Sequence, residues 1–329
     1  MEYRRLGNTE LIVSQLGFGA SPLGDVYSPL DPIETARAVH MSIDEGINFF
    51  DVSPFYGITL AEQRLGQALA GKREKVVLAT KCGRYGFRDF DFSARGITNG
   101  FDSSLLRLKT DYVDLLQIHD VEFSEYDRIV EESLPALRQI QAAGKARYIG
   151  ITGYPLGMLA RIVNATSIDS VMTYCRYNLI ITDMDDVLTP VTKRNGVGLI
   201  NASALHMGLL TDRGAPDWHP APPGLRDLGQ QVVDLARTRG FSLSAQALRF
   251  CFDHPDVAST MVGMSTRNHV AANLEALHAV SDPAIQHKIR TMFGSFYNYV
   301  WPSGRSENSD HESHAQQRLK IEDAIDARG

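Results

Sequence analysis

The sequence predicts an α/β fold, a closed (β/α)8 barrel of the TIM type, on three observations. Short β-rich apolar runs alternate with longer amphipathic segments about eight times along the 329 residues, and repeated βα units imply a parallel sheet. The runs are apolar on successive residues, as in VVLAT and GLI, which is how strands buried on both faces read. An open doubly wound dinucleotide fold would carry G-x-G-x-x-G after its first strand. Here Gly17-Phe18-Gly19-Ala20-Ser21-Pro22 puts a proline in the third glycine's place. The even spacing of eight units therefore favours closure.

Along the chain, residues 3–13 with Gly7-Asn8 as a turn signal predict a hairpin ahead of the first barrel strand, placed to plug the barrel bottom. Strands are expected at 16–20, 48–51, 76–80, 112–117, 146–150, 170–174, 198–201 and 259–262. Helices are expected at 31–45, 60–70, 94–108, 127–143, 157–164, 183–194, 225–239 and 268–279. Two stretches break the rhythm. Residues 205–224, after strand seven, form a Pro- and Gly-rich loop containing Trp218 and His219; long loops in compact domains tend to be functional. After about Trp301 the chain turns polar, so 1–300 is read as the barrel and 301–329 as a mobile or loosely docked tail.

Composition narrows the function classes. A chain with 43% hydrophobic and 22% charged residues is ordinary globular protein. A net charge of -6 and a pI near 5.9 lack the basic footprint of a nucleic-acid binder. No apolar run approaches the roughly 18 residues of a membrane span, and the N-terminus lacks a signal peptide's apolar core. Cys82, Cys175 and Cys251 are scattered without metal-ligand spacing and read as buried thiols of a reducing cytoplasm. No metal is expected; a monomer or weak homo-oligomer is.

Chemistry in such a barrel sits at the C-terminal ends of its strands. Strand two ends at Asp51, followed by Ser53 and Tyr56; strand three ends at Lys81, and strand four at His119-Asp120. Each alone has an ordinary use: a helix cap, a packed tyrosine, a solvated lysine, a structural histidine. Together, on three successive strand ends, they make an acid–base site. A phenol titrates near pH 10; a nearby ammonium favours phenolate, and a hydrogen bond from histidine biases the proton further. Asp51 supplies the counter-charge a desolvated Lys81 requires. Tyr56 would then exchange a proton with an alcohol or carbonyl as a hydride moves.

At these residues the chain resembles the aldo-keto reductase superfamily. GINFFDVSPFYG, VLATKCGR and LLQIHD look like its signature stretches, and LGFGASPLG, GKARYIGIT and INASALHMGLLT extend the likeness over about residues 3–300. Within it, FFDVSPFYG, ATKCGRYGF, GITGYPL, APDWHP, MVGMS and WPSG are similar to the aldose 1-dehydrogenase branch that includes L-galactose dehydrogenases. The resemblance implies Asp51, Tyr56, Lys81 and His119 as the catalytic tetrad, with Tyr56 the acid/base.

It also implies a nicotinamide dinucleotide lying across the barrel mouth. Gly19, Ala20, Ser21 and Asp51 would lie near the nicotinamide ribose. At the end of strand five, Thr152-Gly153 replaces the usual Ser-Asn pair for the carboxamide, and Tyr174 falls at the ring-stacking position. Ser203, Leu205 and Met207 would approach the pyrophosphate; Gly263 and Ser265 precede Asn273, which matches the adenine-contacting Asn. A 2'-phosphate wants a cation, and this last loop holds Gly263, Met264 and Ser265 with Arg267 the one cation close by. NAD is therefore expected, with NADP the alternative. The implied substrate is a small-molecule sugar or aldehyde, oxidised at the C1 hemiacetal to a lactone. Tyr27, Phe55, Arg84, Asp120, Trp218 and His219, with Arg176 and Trp301, are expected to line its pocket. Alternatives are oxidation of pyridoxal hemiacetal, aldehyde reduction by NADPH, and a channel-type regulatory subunit on the same barrel. A hydrolase or metal enzyme would want more clustered ligands than His119-Asp120.

Overall fold

The computed structural model of the chain describes residues 1–26 and 28–310. Tyr27, expected at the substrate pocket, and residues 311–329 of the expected tail lie outside the described residues. The strands are β1 (Tyr3–Arg5), β2 (Ile12–Ser14), β3 (Leu16–Gly19), β4 (Phe49–Asp51), β5 (Val77–Cys82), β6 (Val113–Ile118), β7 (Ala146–Gly153), β8 (Ser170–Tyr174), β9 (Gly198–Ala202) and β10 (Val257–Gly263). The last eight pair in parallel and close into a barrel, β10 against β3 from Thr260–Leu16 to Gly263–Gly19. The expected fold class is the observed one.

β1 and β2 form the N-terminal hairpin, closed by a 2.9 Å bond from Leu6 N–H to the Leu11 carbonyl. Leu6, Leu11 and Val13 bury against Phe49, Ala79, Leu115, Met172 and Ile200, which point into the barrel. Each such side chain contributes roughly 1.5–3 kcal/mol by leaving water, so the hairpin is a fixed plug at the barrel bottom.

Local signals start the helices. Asp31 caps Pro32–Asp44 by accepting from Ile33 N–H at 2.9 Å, and Ser93 caps Ala94–Leu108 by accepting from Gly96 N–H at 3.0 Å. The helix expected over 127–143 is broken into Tyr126–Arg128, a π-turn at Ile129–Ser133, and Leu134–Ala142. Pro135 has no N–H to continue an α-helical ladder there. Two helices were not expected, Leu243–Phe252 and Pro283–Phe293. The connection from β9 to β10 thus carries a pair, Pro223–Arg239 and Leu243–Phe252, split at Gly240, whose φ is +70°. Leu225, Val232 and Val233 of the first pack with Ile289 and Phe293 in a second apolar cluster beside the barrel.

The polar stretch that starts at Trp301 does not leave the fold at once. Trp301 is buried and stacks on Tyr154 with ring centroids 4.7 Å apart. Arg305 N–H donates to the Glu122 carbonyl at 2.9 Å, and Asn308 Nδ2 reaches the carbonyls of Glu122 and Ser124. Asp310 pairs with the fully buried Arg176 at 3.1 Å. Residues 301–310 are therefore a strap across the mouth of β6 to β8. The polar groups of this stretch named above find partners within the fold.

Candidate active site

Every side chain of the expected tetrad converges at one end of the barrel. Asp51 ends β4, and the chain turns at once, with Tyr56 N–H bonded to the Ser53 carbonyl at 3.1 Å. That turn rests on Gly24: a Cβ there would stand 2.6 Å from Gly57 N and from the Tyr56 carbonyl carbon. β5 runs to Cys82, so Lys81 projects from a buried strand and not from a loop. His119 follows β6 directly, its N–H bonded to the Cys82 carbonyl at 2.8 Å.

Lys81 Nζ is ion-paired with Asp51 Oδ1 and donates to the Val52 carbonyl at 3.0 Å and to the Tyr56 hydroxyl at 3.3 Å. Gln117 Nε2 donates to the other Asp51 oxygen at 3.1 Å. Asp51 and Lys81 are buried, and Tyr56 is half-buried. The Tyr56 and His119 rings meet edge to face with centroids 5.7 Å apart.

Burial and charge oppose each other across this cluster. Burial alone would lower Lys81, but the Asp51 carboxylate and the Tyr56 oxygen outweigh it and hold the ammonium above its ordinary value. Burial raises the Asp51 carboxyl against the pull of Lys81 and Gln117. It also raises the Tyr56 phenol, more than Lys81 draws it down, with Asp51 and Asp120 pushing the same way. Lys81 is the largest influence drawing the phenol down, and burial is what outweighs it. His119 is pushed down to about 3 by burial, so its imidazole is neutral.

Around this centre, Arg84 is ion-paired with Asp120, and its guanidinium lies 3.8 Å from the Phe55 ring centroid. Phe87, largely exposed, meets Phe55 edge to face. Phe55, Arg84 and Asp120 thus lie together beside His119. Three other residues expected at the pocket are engaged within the fold. Both His219 nitrogens are taken by backbone, Nε2 with the His206 carbonyl at 2.9 Å and Nδ1 with Ala221 N–H at 2.9 Å, so this ring holds the long loop together. Arg176 is spent on Asp183, Asp310 and the Tyr154 carbonyl. Trp301 is enclosed by Tyr154, His206 and His219. Trp218 is 53% exposed on that loop.

The expected cofactor residues ring the same mouth. Gly19 and Gly263 face each other at the ends of β3 and β10, two neighbouring positions without side chains. Ala20 N–H bonds the Asp51 carbonyl at 2.8 Å, and Ser21 opens the short turn Ser21–Gly24. Ser203 and Met207 take positive φ, +57° and +50°, beside half-buried Leu205. Ser265 and Asn273 are buried around the start of the helix Arg267–His278, where Glu34 Oε1 accepts from Arg267 N–H and the Thr266 hydroxyl accepts from His269 N–H. The glycine pair is close-packed, a Cβ at Gly19 standing 3.1 Å from the Val262 carbonyl oxygen and one at Gly263 3.0 Å from Pro22 Cγ, and the hydroxyls and amide beside it suit a dinucleotide. Thr152 Oγ1 accepts from Asp120 N–H at 3.0 Å, and the Tyr174 hydroxyl donates to Glu122 at 3.4 Å.

Sequence reasoning missed four groups. Ser53 Oγ lies 2.9 Å from His119 Nδ1. Gln117 orients Asp51. Glu122 is fully buried, its carboxyl pushed up to about 8 by burial and by the charge of Asp120; a Cβ at Gly153 would stand 2.8 Å from Glu122 Oε2, so this carboxyl fills the place that the resemblance assigns to Asn. Glu34 grips Arg267, Nε to Oε1 at 3.1 Å and Nη2 to Oε2 at 3.0 Å. Of these, Ser53 and Gln117 had a signal, since both stand within two residues of a tetrad member. Among the described residues no cluster could hold a metal ion, and no helix is long and apolar enough to cross a membrane.

The chain matches the profile of the Aldo/keto reductase family over residues 15–289. It is 40% identical to an L-galactose dehydrogenase of Arabidopsis thaliana over 318 residues, 94% of this chain and 99% of that protein. It is 29% identical to a D-threo-aldose 1-dehydrogenase of a Pseudomonas species, over 80% of this chain and 89% of that one. Among solved structures, an aldo-keto reductase from Bacillus halodurans in its holo form superposes with a TM-score of 0.75 at 27% identity, covering 93% of this chain and all of the other.

Proposed function

The chain belongs to the aldo/keto reductase family, an oxidoreductase family that works with nicotinamide dinucleotides, and from that premise we propose that it oxidises the C1 hemiacetal of an L-galactose- or L-fucose-type aldose to the lactone, with NAD. The observation that carries this is the Tyr56 hydroxyl, 3.3 Å from a Lys81 ammonium that Asp51 and Gln117 hold in place. When bound, the nicotinamide supplies the acceptor for the C1 hydride. Tyr56, as the phenolate left when its own proton passes to solvent and held beside the Lys81 ammonium, takes the proton of the anomeric hydroxyl, and His119 faces the same oxygen from across the ring edge. The C1–H bond breaks as the hydride leaves, the O–H bond breaks as Tyr56 takes the proton, and the lactone carbonyl remains. Arg84 and Asp120 offer paired donors and acceptors to sugar hydroxyls, over the Phe55 ring.

The similarity to two aldose dehydrogenases supports the sugar. Glu34 supports NAD: it ion-pairs with Arg267, the cation that the last loop would otherwise offer to a 2'-phosphate. We place the enzyme in the cytoplasm, where its three buried, unpaired cysteines stay reduced. The test is NADH formation against a panel of L- and D-aldoses including L-galactose and L-fucose, with pyridoxal, each with NAD and NADP. A higher kcat/KM for pyridoxal than for any aldose, or a more than tenfold preference for NADP, overturns the assignment.

A further inference from the structure

Ser53 has no part in the tetrad, yet its hydroxyl is fully buried against a tetrad member. Its Oγ accepts from Phe55 N–H at 3.1 Å and lies 2.9 Å from His119 Nδ1. A serine hydroxyl has one hydrogen to give and two lone pairs to receive, and a buried donor must find an acceptor. Among the described residues Ser53 Oγ has no other acceptor in hydrogen-bond reach.

Neutral imidazole carries its proton on one nitrogen. With the proton on Nδ1, the ring would donate to Ser53 Oγ, which already accepts from Phe55, and the serine hydrogen would be left without a partner. With the proton on Nε2, the serine donates to a bare Nδ1 and every group is satisfied. The far side of the ring agrees. Asp120 Oδ2 stands 3.6 Å from Nε2, and a carboxylate there stabilises a proton on that nitrogen.

We propose that Ser53 is a positioning residue of the redox site, donating to His119 Nδ1 and so holding the imidazole as its Nε2–H tautomer. That tautomer presents a hydrogen-bond donor to the substrate oxygen beside Tyr56. The proposal rests on the reading that His119 faces the reacting oxygen. The donor steadies the oxygen while its proton passes to Tyr56; the opposite tautomer would meet that oxygen with a lone pair.

The test is nitrogen-15 NMR of histidine-labelled protein, with the His119 signals assigned by their loss in His119→Gln, alongside steady-state kinetics and NAD titration. The expected wild-type spectrum shows Nε2 protonated and Nδ1 bare. Ser53→Ala should shift His119 toward the Nδ1–H form and lower kcat by about 10- to 100-fold, on the scale of misplacing a positioned group, with NAD affinity unchanged. Ser53→Thr, which keeps the hydroxyl, should restore the Nε2–H signal and most of kcat. A wild-type spectrum with Nδ1 protonated overturns the proposal even if Ser53→Ala does not fold. So does a Ser53→Ala protein that keeps the Nε2–H form with kcat within about twofold of wild type. A wrong substrate assignment would show instead as no turnover by the wild type, and leaves the spectrum to decide.

Discussion

Replacing Lys81 by methionine isolates the buried ion pair under the site. The side chain keeps its length, so the loss is the ammonium and its bonds to Asp51, to the Val52 carbonyl and to Tyr56. Two unit charges in contact interact by about 4 kcal/mol at an effective dielectric near 20, and removing one partner of a buried pair costs about 3–5 kcal/mol because the other charge is stranded. Asp51 is 3% exposed and keeps only Gln117 as a charge-stabilising donor. The expected loss of unfolding free energy at neutral pH is therefore about 3–5 kcal/mol. It should depend on pH. Burial already raises the Asp51 carboxyl in the folded state, and without Lys81 nothing cationic opposes that shift. A carboxyl whose folded pKa lies above its unfolded value is favourable below the unfolded value, and that favour is lost as pH rises through the folded one. The variant should thus regain stability relative to wild type as pH falls toward the ordinary aspartate value of about 3.9. Urea melts followed by tryptophan fluorescence and circular dichroism at several pH values measure this. A loss below about 1 kcal/mol, or one that does not change with pH, would refute the reasoning.

Tyr56→Phe should lower kcat for sugar oxidation by about 10²–10⁴ and leave the dissociation constant for NAD, read by fluorescence titration, unchanged. Because burial holds the Tyr56 phenol above its ordinary range, and oxidation needs it to accept a proton, kcat for oxidation should climb with pH throughout the neutral and mildly alkaline range; a profile falling across that range would contradict this. Glu34→Gln frees Arg267 from its carboxylate partner, and the ratio of kcat/KM for NADP over NAD should rise roughly three- to fivefold, the scale of an exposed pair. Gly24→Ala drives a methyl to within 2.6 Å of the Tyr56–Gly57 backbone; it should cost about 1–3 kcal/mol in thermal or urea unfolding and reduce kcat by displacing Tyr56, whereas unchanged activity would mean that the turn gives way elsewhere.

Much of the fold was legible because it rests on short-range patterns. Strands buried on both faces announce themselves as apolar runs, and the amphipathic period over 94–108 matches the observed helix Ala94–Leu108. Pro135 hid the π-turn, since the hydrophobic period runs through it. The two further helices were overlooked despite their capping residues Ser242 and Asp282, and Pro283–Phe293 is buried by packing against both Pro223–Arg239 and Leu243–Phe252. The identity of a polar residue said little about where its hydrogen bonds go. His219, Arg176 and Trp301 stand in loops of sugar-enzyme character, yet the structure spends them on the long loop and on the strap 301–310.

The sequence by itself determined the barrel and the convergence of Asp51, Tyr56, Lys81 and His119, because strand order and strand ends follow from periodicity and spacing. Tertiary structure alone decided the electrostatics of that convergence. Burial keeps the Tyr56 phenol high against the pull of Lys81, Ser53 sits on the back of His119, and Glu34 holds Arg267 from 233 residues away. Charge and proton position depend on distance, burial and the last unpaired hydrogen, and none of these is a property of neighbours along the chain.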